Sequence, residues 1–276
     1  MSMRGDAIRE GSRQVETARL RDHAVEASSD RVAHEEPLEI QVGGTPLAVL
    51  MRTPGHDLEL VSGFLITEGI VSSRKALASV HHQSGGDDDA NVIRVNLADE
   101  VRVDLESLRR SFFASSSCGV CGKGSLESAL RVAPALDDPT RFEPRHFLPL
   151  LEQLRAAQVV FEETGGLHAA GLFDPEGQLL VAREDVGRHN AVDKTVGWAL
   201  RNDRLPLMGH TLLVSGRISF EIVQKALAAR IPVVAAISAP TSLAVDLARQ
   251  SGMLLVAFLR EDRFNGYGAR ERLLAS

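Results

Sequence analysis

Three apolar runs near the end of the chain, Thr211 to Val214, Val233 to Ile237 and Leu254 to Phe258, constrain the fold more than any other feature. Amphipathic stretches near 219–230 and 241–251 separate them. Short runs that are apolar at every position suit strands covered on both faces. Strand–helix–strand–helix–strand order with that burial predicts a parallel sheet held between helices. Upstream, Pro144 is placed to open a helix bearing Phe147, Leu148, Leu151 and Leu154. Leu167 to Phe173 and Leu179 to Val181 then read as a hairpin around Asp174-Pro175-Glu176-Gly177. Residues 136–276 are therefore expected to form an α/β ligand-binding domain.

The first half reads differently. Residues 1–35 are polar, without usable periodicity, and are expected to be a flexible lead with no apolar signal-peptide core. Leu38, Ile40 and Val42 alternate before Gly43-Gly44, and Leu47 to Met51 follow, which is a hairpin pattern. Asp57 stands where it would cap a helix carrying Leu58, Val61, Phe64 and Leu65 and stopping near Gly69. Strands around Val92 to Leu97 and Val101 to Val103 complete a small α+β domain over 36–114. The expected fold class is thus α/β, a larger layered domain with a smaller N-terminal α+β domain.

In an open α/β sheet, ligands bind beyond the carboxyl ends of the parallel strands. Here those ends read Ser215-Gly216-Arg217-Ile218-Ser219, Ser238-Ala239-Pro240-Thr241-Ser242 and Leu259-Arg260-Glu261-Asp262-Arg263. Two hydroxyl-rich helix starts beside Arg217, Arg260 and Arg263 suit phosphates, and several such sites together suit a nucleotide. Plain helix capping by Ser219 and Thr241 is the competing explanation. The segment from Arg183 to Lys194 packs Glu184, Asp185, Arg188, His189, Asn190, Asp193 and Lys194 together. His189 and Lys194 are its candidates for touching substrate, against a salt-bridged helix start with Asp185 as cap. His168 reads equally well as a packed core histidine, and His56 as a turn residue.

The chain has only two cysteines, Cys118 and Cys121, set among small residues from Ser115 to Ser125 with Lys123 adjacent. Two cysteines in 276 residues make no disulfide scaffold, so 44% hydrophobic content must supply the framework, and a reducing cytosol is expected. A nearby cation favours thiolate, hence nucleophilicity. Four readings compete for this C-x-x-C loop at 115–125. A zinc site lacks two ligands, with no following His pair. A thioredoxin-like pair belongs just after the first strand of a βαβ unit, which this is not. A persulfide carrier needs an exposed, low-pKa cysteine and fits best; an inert loop is the fourth reading. The net charge of −6 argues against nucleic acid as partner, and no apolar run reaches membrane-spanning length.

Several long motifs in order carry a resemblance over nearly all of residues 36–276. They are Arg52-Thr53-Pro54-Gly55 with Gly63-Phe64-Leu65 and Glu68-Gly69; Ser117-Cys118-Gly119-Val120-Cys121-Gly122; and Thr164-Gly165-Gly166-Leu167-His168. Glu184 through Lys194, Ser215-Gly216-Arg217, Ser238 through Thr241 and Gly252 through Arg263 continue them. The sequence resembles the formate dehydrogenase accessory sulfurtransferase (FdhD) family. The resemblance implies a cytoplasmic homodimer that takes sulfur from a cysteine desulfurase. It passes that sulfur to the molybdenum bis(molybdopterin guanine dinucleotide) cofactor of formate dehydrogenase, and a guanine nucleotide can stand in for the cofactor. Cys118 matches the persulfide-bearing cysteine and Cys121 its partner. Phe258, Leu259, Arg260, Glu261, Asp262 and Arg263 match the cofactor-binding segment, joining Arg217, Ser238, Thr241, His189 and Lys194 inferred from the residues themselves. It also implies a three-layer α/β/α domain of cytidine-deaminase type. The deaminase metal pattern is not met, because His34-Glu35-Glu36 lies in the polar lead and Ser117 replaces the proline before Cys118. A cofactor chaperone without sulfur transfer and a thiol–disulfide oxidoreductase are the alternative readings.

Overall fold

The computed structural model describes residues 11–83, 90–104 and 134–275. Cys118, Cys121 and the whole expected loop at 115–125 lie outside the described residues, as do residues 105–114. Much of the expected flexible lead is ordered instead. β1 (Ser12–Arg21) and β2 (Ala24–Ala33) pair antiparallel from Ser12↔Ala33 to Arg21↔Ala24. The reversal uses Asp22 and His23, both at positive φ, as a two-residue hairpin turn requires. Near the open end, Arg31 Nε and Ser12 Oγ both donate to Glu163 Oε2 at 3.0 and 3.1 Å.

A four-stranded sheet follows, ordered β4-β3-β6-β5, from β3 (Glu36–Val42), β4 (Thr45–Arg52), β5 (Leu77–His82) and β6 (Val92–Leu97). Its alternating Leu38, Ile40, Ile93 and Val95 face α1 (Asp57–Thr67), which is buried on nearly all sides. The expected single helix after Pro144 is broken. Pro144–His146 forms one 3₁₀ turn, α2 spans Leu150–Ala157, and α3 (Val159–Thr164) restarts beyond a non-helical Gln158 at φ −86°, ψ 68°. The Glu184 carboxylate accepts from the amides of Val160 and Phe161 at 3.0 and 2.7 Å. It thereby satisfies the new helix start.

The second sheet has six strands in the order β12-β11-β10-β9-β7-β8. β7 (His168–Phe173) and β8 (Leu179–Asp185) are the expected hairpin, and α4 (Arg188–Arg201) leaves its end. β9 (Thr211–Val214), α5 (Phe220–Ala228), β10 (Val233–Ala236), α6 (Ser242–Ser251) and β11 (Leu254–Ala257) give the expected parallel core, fully buried in its strands. β12 (Asn265–Gly268) closes one edge antiparallel to β11. Strand alternation divides the core. Leu213, Val233, Ala235, Leu254 and Val256 meet Phe147, Leu150 and Leu154 on one face. Leu212, Val214, Val234 and Leu255 join the helices on the other.

That second cluster also contains Leu38, Ile40, Leu60 and Leu65, so the small N-terminal sheet and the α/β part share one core. The join is the crossing of α1 on α4. A Cβ added at Gly63 would lie 1.8 Å from the Asp193 carbonyl oxygen, and one at Gly197 would lie 1.8 Å from that of Glu59. Gly63→Ala is therefore expected to destabilise by about 3 kcal/mol, because backbone cannot yield as a side chain does. The gain in helix propensity, about 1 kcal/mol, does not offset it. Urea unfolding checks this through a lowered midpoint; a midpoint equal to the parent's contradicts the crossing.

Candidate functional site

Strand direction gathers the polar motifs at one sheet edge. β9, β10 and β11 end there, and β8, which runs in the same sense as β9, delivers Asp185 beside His168 at the start of β7. Ser215 binds this junction twice, donating from its amide to the Ala169 carbonyl and accepting from the Ala169 amide at its Oγ, both 2.9 Å. Next along the edge, the Ile218 amide donates to the Ala239 carbonyl and the Thr241 amide to the Ile218 carbonyl, tying the first two strand-end loops together. Phe258 then donates its amide to the Ser238 carbonyl, with its backbone at φ +55° and its ring partly exposed.

Among the expected ligand residues on this edge, Arg217 is exposed and makes no hydrogen bond or ion pair to any described residue. Arg260 donates to the carbonyls of Ile237 and Leu259 at 2.8 Å, and Arg263 lies 3.4 Å from Asp262. Glu261 reaches Arg155 of α2 at 4.0 Å. Thr241 Oγ1 accepts from the Ala244 amide and caps α6, whereas Ser219 precedes α5 with its buried Oγ unpartnered. Leu259 departs from the expectation: its side chain is buried in the core among Phe147 and Val256.

Lys194 also departs from it. Expected to meet substrate, it is 1% exposed, and its Nζ lies 2.7 Å from Asp185 Oδ2 while donating to the Thr53 and Glu184 carbonyls at 2.8 and 3.2 Å. Asp185, fully buried, accepts from the amides of Thr53 and Gly187 and from Asn190 Nδ2. The Arg183–Lys194 segment thus clamps the Thr53 loop rather than presenting itself to solvent. Asp57 likewise does not cap α1. It takes Arg52 in a two-pronged pair at 3.1 and 3.0 Å, and Arg52 also reaches Glu36 and Asn91.

His189 sits deeper. Burial first, then the charges of Lys225 and Arg188, lower its pKa to about 4. Lys225, which the sequence did not mark, donates to both Asp193 oxygens, Glu68 and Thr67 at 2.9–3.0 Å. Burial works to lower its pKa, but Asp193 and Glu68 outweigh that and raise it, holding the lysine charged. Burial first, and then the charge of Arg188, lower the pKa of His168, outweighing Asp185. It lines a cavity of about 600 Å³ beneath the strand ends, walled by α2, α3, Leu167, Ser215 and Ile237. No cluster of carboxylates, histidines or cysteines able to hold a metal occurs among the described residues, and no described helix is long and apolar enough to cross a membrane.

The fold is thus an α/β sheet whose carboxyl edge is polar and carries cations. The chain belongs to the FdhD/NarQ family, whose model matches residues 33–274. It is 53% identical over 254 residues to the sulfur carrier protein FdhD of Mycolicibacterium paratuberculosis, covering 90% of this chain and 93% of that one. Against the protein of the same name from Streptomyces coelicolor it is 49% identical over 262 residues, covering 92% and 93%. The crystal structure of a provisionally designated formate dehydrogenase accessory protein from Desulfotalea psychrophila superposes with a TM-score of 0.75 at 25% identity. That match covers 96% of this chain and all of the other.

Replacing Lys194 by Met leaves Asp185 buried without its cation, and the expected cost is about 3–5 kcal/mol. Urea unfolding of Lys194→Met measures it; a loss below about 1 kcal/mol contradicts a buried clamp. His189 predicts a pH dependence. Its folded pKa of about 4 lies below the ordinary 6.5, so its contribution is intact above pH 6.5 and lost as pH falls toward 4. The stability difference between parent and His189→Asn should therefore shrink over that interval, on the order of 3 kcal/mol in total.

Proposed function

We propose that this protein is a sulfur carrier that matures formate dehydrogenase. Cys118 receives sulfur from a cysteine desulfurase and delivers it to the molybdenum bis(molybdopterin guanine dinucleotide) cofactor, which is cargo and acceptor here. In the loading step the Cys118 thiolate attacks the outer sulfur of the desulfurase persulfide. The desulfurase S–S bond breaks, its thiolate leaves, and Cys118 carries S–SH. Lys123 favours the thiolate through its charge, and Cys121 assists release to the acceptor. A cytoplasmic homodimer belongs to the same reading.

The observation that carries the acceptor side is the sheet edge at Arg217, Ser238, Thr241 and Phe258–Arg263. There Arg217, a cation without a partner among the described residues, stands beside the starts of α5 and α6, whose N-terminal ends favour anions. Phosphates of a dinucleotide cofactor match that donor set, and membership of a family whose relatives are named sulfur carriers supplies the sulfur chemistry.

Intact-protein mass spectrometry tests the reading after incubation with a cysteine desulfurase and cysteine. The expected outcome is a one-sulfur gain on the parent that reductant reverses, absent from Cys118→Ala and retained by Cys121→Ala. No gain on the parent, with the desulfurase active on another acceptor, favours a cofactor chaperone instead.

A further inference from the structure

Where α4 and α5 end, at the sheet edge away from Arg217, a groove of about 460 Å³ opens. Its floor is apolar: Leu205, Pro206 and Ala228 reach the surface over buried Ile66 and Leu200. Its rim is basic. Arg74, Lys75 and Arg230 line it against one acid among the described residues, Asp203, which pairs with Arg74. Between the lining residues Leu200 and Leu205, Arg201 is exposed and Arg204 lies 5.2 Å over the Trp198 ring. Lys75 and Arg201 make no hydrogen bond or ion pair to any described residue. In a chain of net charge −6 this is a local concentration of cations, not a reflection of composition.

Helix carboxyl ends attract cations, which accounts for Arg201 and Arg230. It does not account for Lys75, which stands in the three-residue turn Arg74–Ala76. Asp203 and Arg230 stand at φ +54° and +62°, the left-handed position past a helix end that glycine usually fills. Both instead bring a charged side chain to the groove. Its place in the chain matters as much as its lining. On one side the Ala98 amide donates to the Ala76 carbonyl, and the described residues run on to 104. On the other, Arg230 donates to the carbonyls of Pro134 and Ala135, where they resume. The sequence between, 105–133, carries Cys118 and Cys121. A small anion would use the rim and leave the apolar floor uncovered, whereas an acidic polypeptide segment with an apolar side chain uses both. We infer that this groove docks the protein that supplies sulfur, through an acidic segment of that protein with one apolar side chain set on Leu205 and Pro206. The inference rests on the carrier reading above and gives it a donor surface.

Intact-protein mass spectrometry follows loading from two donors: a cysteine desulfurase with cysteine, and inorganic polysulfide, which is too small to need docking. Polysulfide loads Cys118 by the same exchange, in which the thiolate attacks a chain sulfur, one S–S bond breaks and a shortened polysulfide anion leaves. Lys75→Glu should raise the desulfurase concentration that gives half-maximal loading at least about fivefold at low salt, the gap closing by about 0.5 M salt. From polysulfide it should load at the parent's rate. Arg13→Glu, the same charge change on β1, should match the parent with both donors. Hydrogen–deuterium exchange on the parent needs no variant: the desulfurase should protect residues 72–76 and 200–206. Parental loading by Lys75→Glu, an equal loss in Arg13→Glu, a matching loss with polysulfide, or protection confined to other segments each overturns the inference. Protection of these segments on concentrating the chain alone makes a second copy the occupant and overturns it too. A parent that loads from polysulfide alone keeps its thiol chemistry and loses the docking surface. One that loads from neither donor loses the carrier reading and this inference with it; one that loads from both, with Lys75→Glu its equal, loses this inference only.

Discussion

Two helices that approach until only glycine fits between them set the register of everything around the site. Gly63 of α1 faces the Asp193 carbonyl of α4, and Gly197 of α4 faces the Glu59 carbonyl of α1. The contact is reciprocal, so sliding either helix by one residue puts a side chain against backbone. Arg52 at the end of β4, Thr53 after it and Asp57 lead into α1; Asp185 at the end of β8 leads into α4, whose first turns carry Asn190 and Lys194. Fixing the crossing therefore fixes where the Thr53 loop meets the end of β8, and it joins two sheets into one core.

Polar groups then finish what packing begins. Two buried lysines flank the crossing: Lys194 ties α4 to the Thr53 loop, and Lys225 ties α5 to Asp193 of α4 and to Thr67 and Glu68 at the far end of α1. Buried ion pairs contribute little net stability, because desolvation cancels much of their attraction. Their value lies in geometry: a lysine with every proton assigned tolerates one arrangement of its neighbours. Arg183 with Glu59, at 2.6 and 2.9 Å, adds a third tie, from β8 to α1.

The α/β part was legible because its strands are buried on both faces and so read as unbroken apolar runs, separated by amphipathic stretches. The cation-bearing edge followed from strand order alone. The hairpin at Ser12–Ala33 was not legible: its alternation uses Ala, Ser, Thr and Arg, and its Leu20 and Val25 are 68% and 72% exposed, so no buried face marks it. Lys194 and Asp185 looked like surface chemistry because sequence shows charge but not burial. Leu259 was carried with its motif, although the positive φ of Phe258 breaks the alternation of β11 and seats Leu259 in the cluster of Leu254 and Val256. The break at Gln158 was hidden because Glu184, far along the chain, supplies the cap that makes it possible.

Glu184 serves two regions through different atoms. Its carboxylate holds the start of α3, whose Phe161 walls the cavity, while its carbonyl holds Lys194 in the buried clamp. A residue built this way behaves in a genetic screen like a point of contact with the ligand, though its bonds run only to other parts of the chain. Maps of this molecule drawn from lost activity alone will therefore exaggerate the surface that meets cargo, and the excess will concentrate where one side chain splices wall to scaffold.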